Sequence, residues 1–136
     1  MQYKFLDGLT SDVLYEAYGK NLKEVFENAA LALFSVICKI DKLKKKKKEK
    51  FEVKAETVED LMFNWLQSLI AIVDTEQMFF SKFEVTEIDE HHLIANLYGE
   101  PIKRELGETV VKAVTMYKYK FEKTDEGYKV TVSLDI

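Results

Sequence analysis

TVEDLMFNWLQSLIAIVDTE, residues 57–76, is the stretch whose reading decides the fold. Its apolar residues fall at Val58, Leu61, Met62, Trp65, Leu66, Leu69, Ile70 and Val73, in steps of 3, 1, 3, 1, 3, 1, 3. That spacing lays them on one stripe of a helix. Thr57 suits the N-cap, where its hydroxyl can accept an orphan backbone N–H. Glu59 and Asp60 put negative charge where the helix dipole favours it. The single tryptophan, Trp65, sits on the apolar stripe. Such a helix needs a sheet or a second helix to cover it, and most of the remaining chain reads as strands.

Working outward toward the N-terminus, a second helix has the same rhythm. Leu22, Val25, Phe26, Ala29, Ala30, Leu33, Phe34 and Ile37 again step 3, 1, 3, 1, 3, 1, 3. Asn21 and Glu24 form a capping box ahead of it. The small pair Ala29–Ala30 allows close approach of a neighbouring element. Before that helix, residues 2–6 and 13–18 read as short strands, the first at a sheet edge, joined by the turn-rich DGLTSD. Between the helices, residues 51–56 alternate as a strand.

Beyond residue 76, the strands expected are 78–89, 92–98, 109–123 and 128–135, with a hairpin turn at Thr124–Gly127. The segment 99–107 contains the only proline and the only arginine and reads as a long loop. The order ββα, β, α and four strands predicts an α+β fold, two helices packed on a mostly antiparallel β-sheet as a single-domain two-layer sandwich. At 136 residues, with 47% hydrophobic residues, one domain spanning 1–136 with one core is expected.

No apolar run approaches the ~18 residues of a membrane span, and no targeting segment is recognisable. A single cysteine, Cys38, excludes an internal disulfide and a cysteine-based zinc site within one chain, and its apolar neighbours predict a buried thiol. A cytoplasmic location follows as the expectation.

The net charge of −4 is unevenly spread. Residues 42–50, KLKKKKKEK, carry seven lysines and one glutamate, +6, leaving −10 on the other 127 residues. The run reads as a solvated loop or frayed strand end. Its functional reading is a phosphate-binding patch for RNA, but it has no interleaved aromatic and no arginine.

The usual catalytic motifs, GxGxxG, P-loop, HExxH and GxSxG, are absent. His91 and His92 are neighbours in an expected turn, which directs their side chains apart. Carboxylates remain. Asp12 follows the turn-rich loop, Asp135 ends the last strand, and Ile136 would supply a chain-terminal carboxylate. Together they would suit a hard cation such as Ca²⁺ or Mg²⁺; the alternative is ordinary surface acids.

Several stretches together resemble the archease family: LDGLTSDV, YGKNLKEVFENAALALFSVI, VEDLMFNWLQSLIAIVDTE, GEPIKRELGETVVKAVT and the terminal VSLDI. The resemblance keeps the family's motif order over essentially the whole chain. It implies a non-enzymatic cofactor of the RtcB-type RNA ligase of tRNA splicing, which promotes ligase guanylylation and multiple turnover. RNA would then be met indirectly, through the ligase. A broader chaperone-like role for RNA-modifying enzymes is also associated with the family.

The family's calcium site maps onto Asp12, Asp135 and Ile136, with another divalent cation as the alternative occupant. Its activating lysine maps onto Lys112, and Asp41 is a secondary metal candidate. The chain departs from the family at Leu9, where a histidine is usual, and at Met116–Tyr117, where tyrosine–histidine is usual. A competing reading is a small RNA-binding module that uses the lysine run.

Overall fold

The computed structural model describes residues 2–6 and 12–136. The turn expected over 7–11, including the departure at Leu9, lies outside the described residues. The elements, in order, are β1 (Tyr3–Leu6), β2 (Asp12–Gly19), α1 (Leu22–Ile37), β3 (Lys47–Lys54), α2 (Val58–Glu76), β4 (Met78–Ile88), β5 (His92–Pro101), β6 (Ala113–Thr124) and β7 (Gly127–Asp135). Short 3₁₀ turns occupy Ile40–Lys42 and Arg104–Leu106.

The α+β class and its two helices are as the sequence predicts. The strands divide between two antiparallel sheets, ordered β1-β2-β7-β6 and β3-β5-β4. The division follows from α1. No residue of α1 from Val25 onward is exposed, and eight of its side chains are buried. One sheet cannot cover a helix on all sides, so α1 packs on β2 of the first sheet and on β4 of the second. α2 is one-sided, burying Leu61, Met62, Trp65, Leu66, Leu69 and Ile70, and it packs on β6 and β3. The periodicity placed α2 at the centre of the fold, yet the more enclosed helix is α1.

The helices start as expected. Asn21 accepts the Glu24 N–H at 2.9 Å, and Thr57 accepts the Asp60 N–H at 3.2 Å. Glu24 reaches back to the N–H of Lys20 at 3.4 Å, one residue beyond the cap itself. Inside the core, the Trp65 indole N–H donates to the Phe26 carbonyl at 2.9 Å and ties α2 to α1. The Tyr15 hydroxyl donates to the Ala29 carbonyl at 3.0 Å and ties β2 to α1. Both buried aromatics thereby satisfy their polar ends.

Three boundaries differ from the expectation. First, β3 begins at Lys47, inside the lysine run, so half of the run is strand and half is loop. Second, β5 continues through Pro101, because β4 pairs with it as far as Met78↔Pro101. Gly99 permits this, since a Cβ there would sit 1.9 Å from the Phe79 carbonyl oxygen. Third, 109–112 is not strand. The N–H groups of Glu108 and Thr109 instead bond the carbonyls of Ile37 and Val36 at 2.9 and 3.1 Å, satisfying the last turn of α1.

β6 also carries a wide bulge between Thr115 and Lys120, with Lys118 at φ 53°. The β6–β7 hairpin turns where expected, and Gly127 takes φ +139°, a conformation other residues resist.

Candidate metal site and its surroundings

β2 and β7 are the central pair of the four-stranded sheet, and their register sets the site. Val13 faces Leu134, Tyr15 faces Val132 and Ala17 faces Val130. These residues line the core side. The alternate positions point away from the helices: Tyr18 with Lys129, Glu16 with Thr131, Leu14 with Ser133, and at the end Asp12 with Asp135. Two carboxylates thus stand directly opposite each other on one face. At such positions Cβ atoms are only ~4.5–5.5 Å apart, and like charges repel.

Both aspartates are half-buried, as is Ile136, which follows directly. The Ser133 hydroxyl donates to Asp12 Oδ2 at 3.4 Å, a long bond that offsets little of the repulsion.

Lys112 precedes β6 and is exposed. It was expected on a strand. Its backbone N–H donates to the Asp135 carbonyl at 2.8 Å, and Ala113 pairs with Asp135 in the ladder. The geometry therefore brings Asp12, Asp135, Ile136 and Lys112 to one end of the sheet.

Asp41 is not part of this end. It borders a cavity with Gln2, Tyr3 and Ser81. Tyr3 pairs with Ala17, which lies about 16 Å along β2 from Asp12.

The donor set suits a hard cation: carboxylate oxygens on adjacent strands, with no imidazole or thiolate in the arrangement. Among the described residues, no group of three or more His, Cys, Asp and Glu side chains converges on one point. Two aspartates alone fall short of the 6–8 oxygens that calcium takes. Backbone oxygens at Ile136 and water would have to complete the shell.

The remaining candidates are structural. Cys38 caps α1, donates its Sγ–H to the Phe34 carbonyl at 3.3 Å, and is buried, which pushes its pKa up to about 12. It is a poor nucleophile at neutral pH. His92 begins β5 and bonds Glu52 of β3, which holds that carboxyl below its ordinary pKa. The backbone N–H of His91 bonds Asp89 Oδ1 at 2.7 Å, in the turn that precedes β5.

Sequence reasoning passed over Glu100. It was assigned to a loop but sits in β5, only 1% exposed. Its Oε2 accepts the Lys44 N–H at 2.6 Å, and its Oε1 lies 3.1 Å from Lys103 Nζ and 3.9 Å from Lys46 Nζ. The Lys44 N–H and the two ammonium groups hold its carboxyl below the ordinary range.

Residues 3–136 match the model of the Archease protein family. The chain belongs to the archease family. It is 36% identical to the archease of Archaeoglobus fulgidus over 140 residues, covering all of both chains. It is 39% identical to that of Sulfurisphaera tokodaii over 132 residues, covering 93% of this chain and 94% of the other.

A solution structure of Methanobacterium thermoautotrophicum protein 1598 matches with a TM-score of 0.84, 35% identity and 98% of each chain covered. The crystal structure of a Thermotoga maritima archease, described as a possible chaperone, shares the fold at TM-score 0.69 and 19% identity, over 94% of this chain and 93% of the other. Among the described residues, no helix of this archease is long and apolar enough to cross a membrane.

Proposed function

We propose that this archease is a non-enzymatic activator of an RtcB-type RNA ligase, promoting guanylylation of the ligase and its multiple turnover through a divalent-cation site at Asp12, Asp135 and Ile136. The observation that carries the reading is the facing pair Asp12–Asp135, with the Lys112 amide on the Asp135 carbonyl. Directly opposed carboxylates cost stability unless a cation joins them, so their presence on one face favours a bound metal. Family membership supplies the partner class.

The cation, calcium or another divalent ion, would give the tip a positive centre beside two acids. Lys112, exposed next to them, would act as a point charge toward a phosphate or carboxylate of the ligase site.

The test is ligation by a purified RtcB-type ligase with substrate in excess. Product per ligase should exceed one only with this protein present. Asp12→Ala and Asp135→Ala should abolish the stimulation while leaving the circular dichroism spectrum unchanged, and Lys112→Ala should weaken it. Full stimulation by both aspartate variants would remove the metal tip from the mechanism. No stimulation by the wild-type chain of a competent ligase would remove the activator role.

A further inference from the structure

We propose that the lysine run and the outward face of β3–β5–β4 form a binding surface for the backbone of single-stranded RNA. In sequence the run has lysines and no aromatic; the sheet supplies one. The outward positions of the three strands form rows. Lys48 of β3 faces Tyr98 of β5, which faces Lys82 of β4. Lys82 Nζ lies 5.1 Å from the centroid of the partly exposed Tyr98 ring. Next to this row, Lys50 faces Asn96. An aromatic ring with one ammonium group against it and a second lysine at the facing position of the next strand is the combination that holds a base by stacking and its phosphates by charge.

The row continues off the strand into a built cluster. All seven lysines of the run are exposed, whereas Leu43 between them is buried and anchors the backbone. The buried Glu100 carboxylate draws Lys44, Lys46 and Lys103 together across 56 residues of chain. Burying a carboxylate is costly unless it is multiply bonded, and this one is bonded only by elements of the basic cluster. It fixes Lys44 and Lys46 beside Lys103, which is also exposed.

A simpler account is that β3 is an edge strand and its lysines deter pairing with another sheet. That explains Lys47, Lys48 and Lys50. The same account covers Lys82 on β4, the other edge, but it does not explain Lys44–Lys46, which lie outside the strand, nor Tyr98 on the central strand, nor the Glu100 pin.

One acid, Glu84, lies within this face, opposite Asn96 in the row beside Tyr98, and the others lie a row further along. Glu84 is held by Asn96 and Tyr98 at 3.1 Å each, and Glu52 is held by His92. Glu87 faces Ile94, in the row with Glu52 and away from Lys48. Lysines dominate over arginine, so the surface reads charge and base planes, not sequence.

The test is fluorescence anisotropy of a labelled oligouridylate of about 12 nucleotides with the full chain, in the absence of any ligase. The inference is thereby independent of the activator reading. With about four phosphates neutralised, affinity should fall about 50-fold between 50 and 200 mM salt. Replacing Lys45, Lys48 and Lys50, exposed lysines that do not bond Glu100, by serine should remove most of the binding and leave the melting temperature unchanged. Tyr98→Ala should weaken binding about tenfold, and Tyr98→Phe, which keeps the ring, should not.

Three results would each overturn the proposal: no binding at 50 mM salt, wild-type binding by the triple lysine variant, or equal competition by polyglutamate. The last would mark the surface as one for acidic protein.

Discussion

Two aspartates face each other where β2 meets β7, and no described side chain places a cation between them. If a divalent ion is what relieves them, the sign of a single substitution depends on the metal. With chelator present, Asp12→Asn should raise stability by about 0.2–1 kcal/mol, because one like-charged partner is gone. With calcium present, the wild type should gain melting temperature and the variant should not. Identical melting curves for the wild type with and without calcium would count against a bound metal.

The core offers a second test at this scale. The buried Tyr15 hydroxyl donates to Ala29, and its pKa lies far above the ordinary tyrosine value because of burial. Tyr15→Phe should cost about 1 kcal/mol in chemical denaturation, the net worth of one buried hydrogen bond. A neutral result would mean that the Ala29 carbonyl is satisfied without it.

At the scale of elements, Glu100 is the contact between β5 and the lysine run. Its carboxyl titrates below the ordinary glutamate value of 4.5 in the folded chain. The stability it contributes is present above that value and is lost as pH falls through the folded pKa. Glu100→Gln should therefore be less stable than the wild type at neutral pH, and the gap should close below about pH 4.5. A gap constant with pH would mean that Glu100 acts by shape and not by charge.

This is also where sequence reading met its bounds. Both helices were legible to the residue, because Asn21 and Thr57 cap them and their apolar stripes are unbroken. Thr109–Lys112 looked like strand from its β-branched residues, but the end of α1 takes the N–H groups of Glu108 and Thr109 first. That competition comes from a segment some seventy residues away and leaves no local trace. Glu100 was hidden for the same reason, since its partner Lys44 lies 56 residues earlier. Within the bulge of β6 the Tyr119 hydroxyl donates to the Glu59 carbonyl at 2.6 Å, a contact again made across the fold.

At the scale of the whole molecule, the two sheets divide the chemistry. The four-stranded sheet carries the carboxylate pair at the end of its central strands. The three-stranded sheet carries the Lys48–Tyr98–Lys82 row on its outward face. Asp12 and Asp135 were legible as candidates chiefly through the resemblance of LDGLTSDV and VSLDI to the archease family, since the chain has 24 acidic residues. Their apposition was not, because it depends on the register of Asp12 against Asp135, on strands from opposite ends of the chain. The lysine run was visible in the sequence, and the folded chain sets it at the edge of the three-stranded sheet, away from the Asp12–Asp135 pair of the other sheet.

The proposed ligase activation acts through the Asp12–Asp135 end. The most direct test counts the products formed per RtcB-type ligase molecule at substrate excess, with wild-type chain and with Asp135→Ala. More than one product per ligase with the wild type, and no more than one with the variant, is the predicted result. Equal turnover with both would contradict the account.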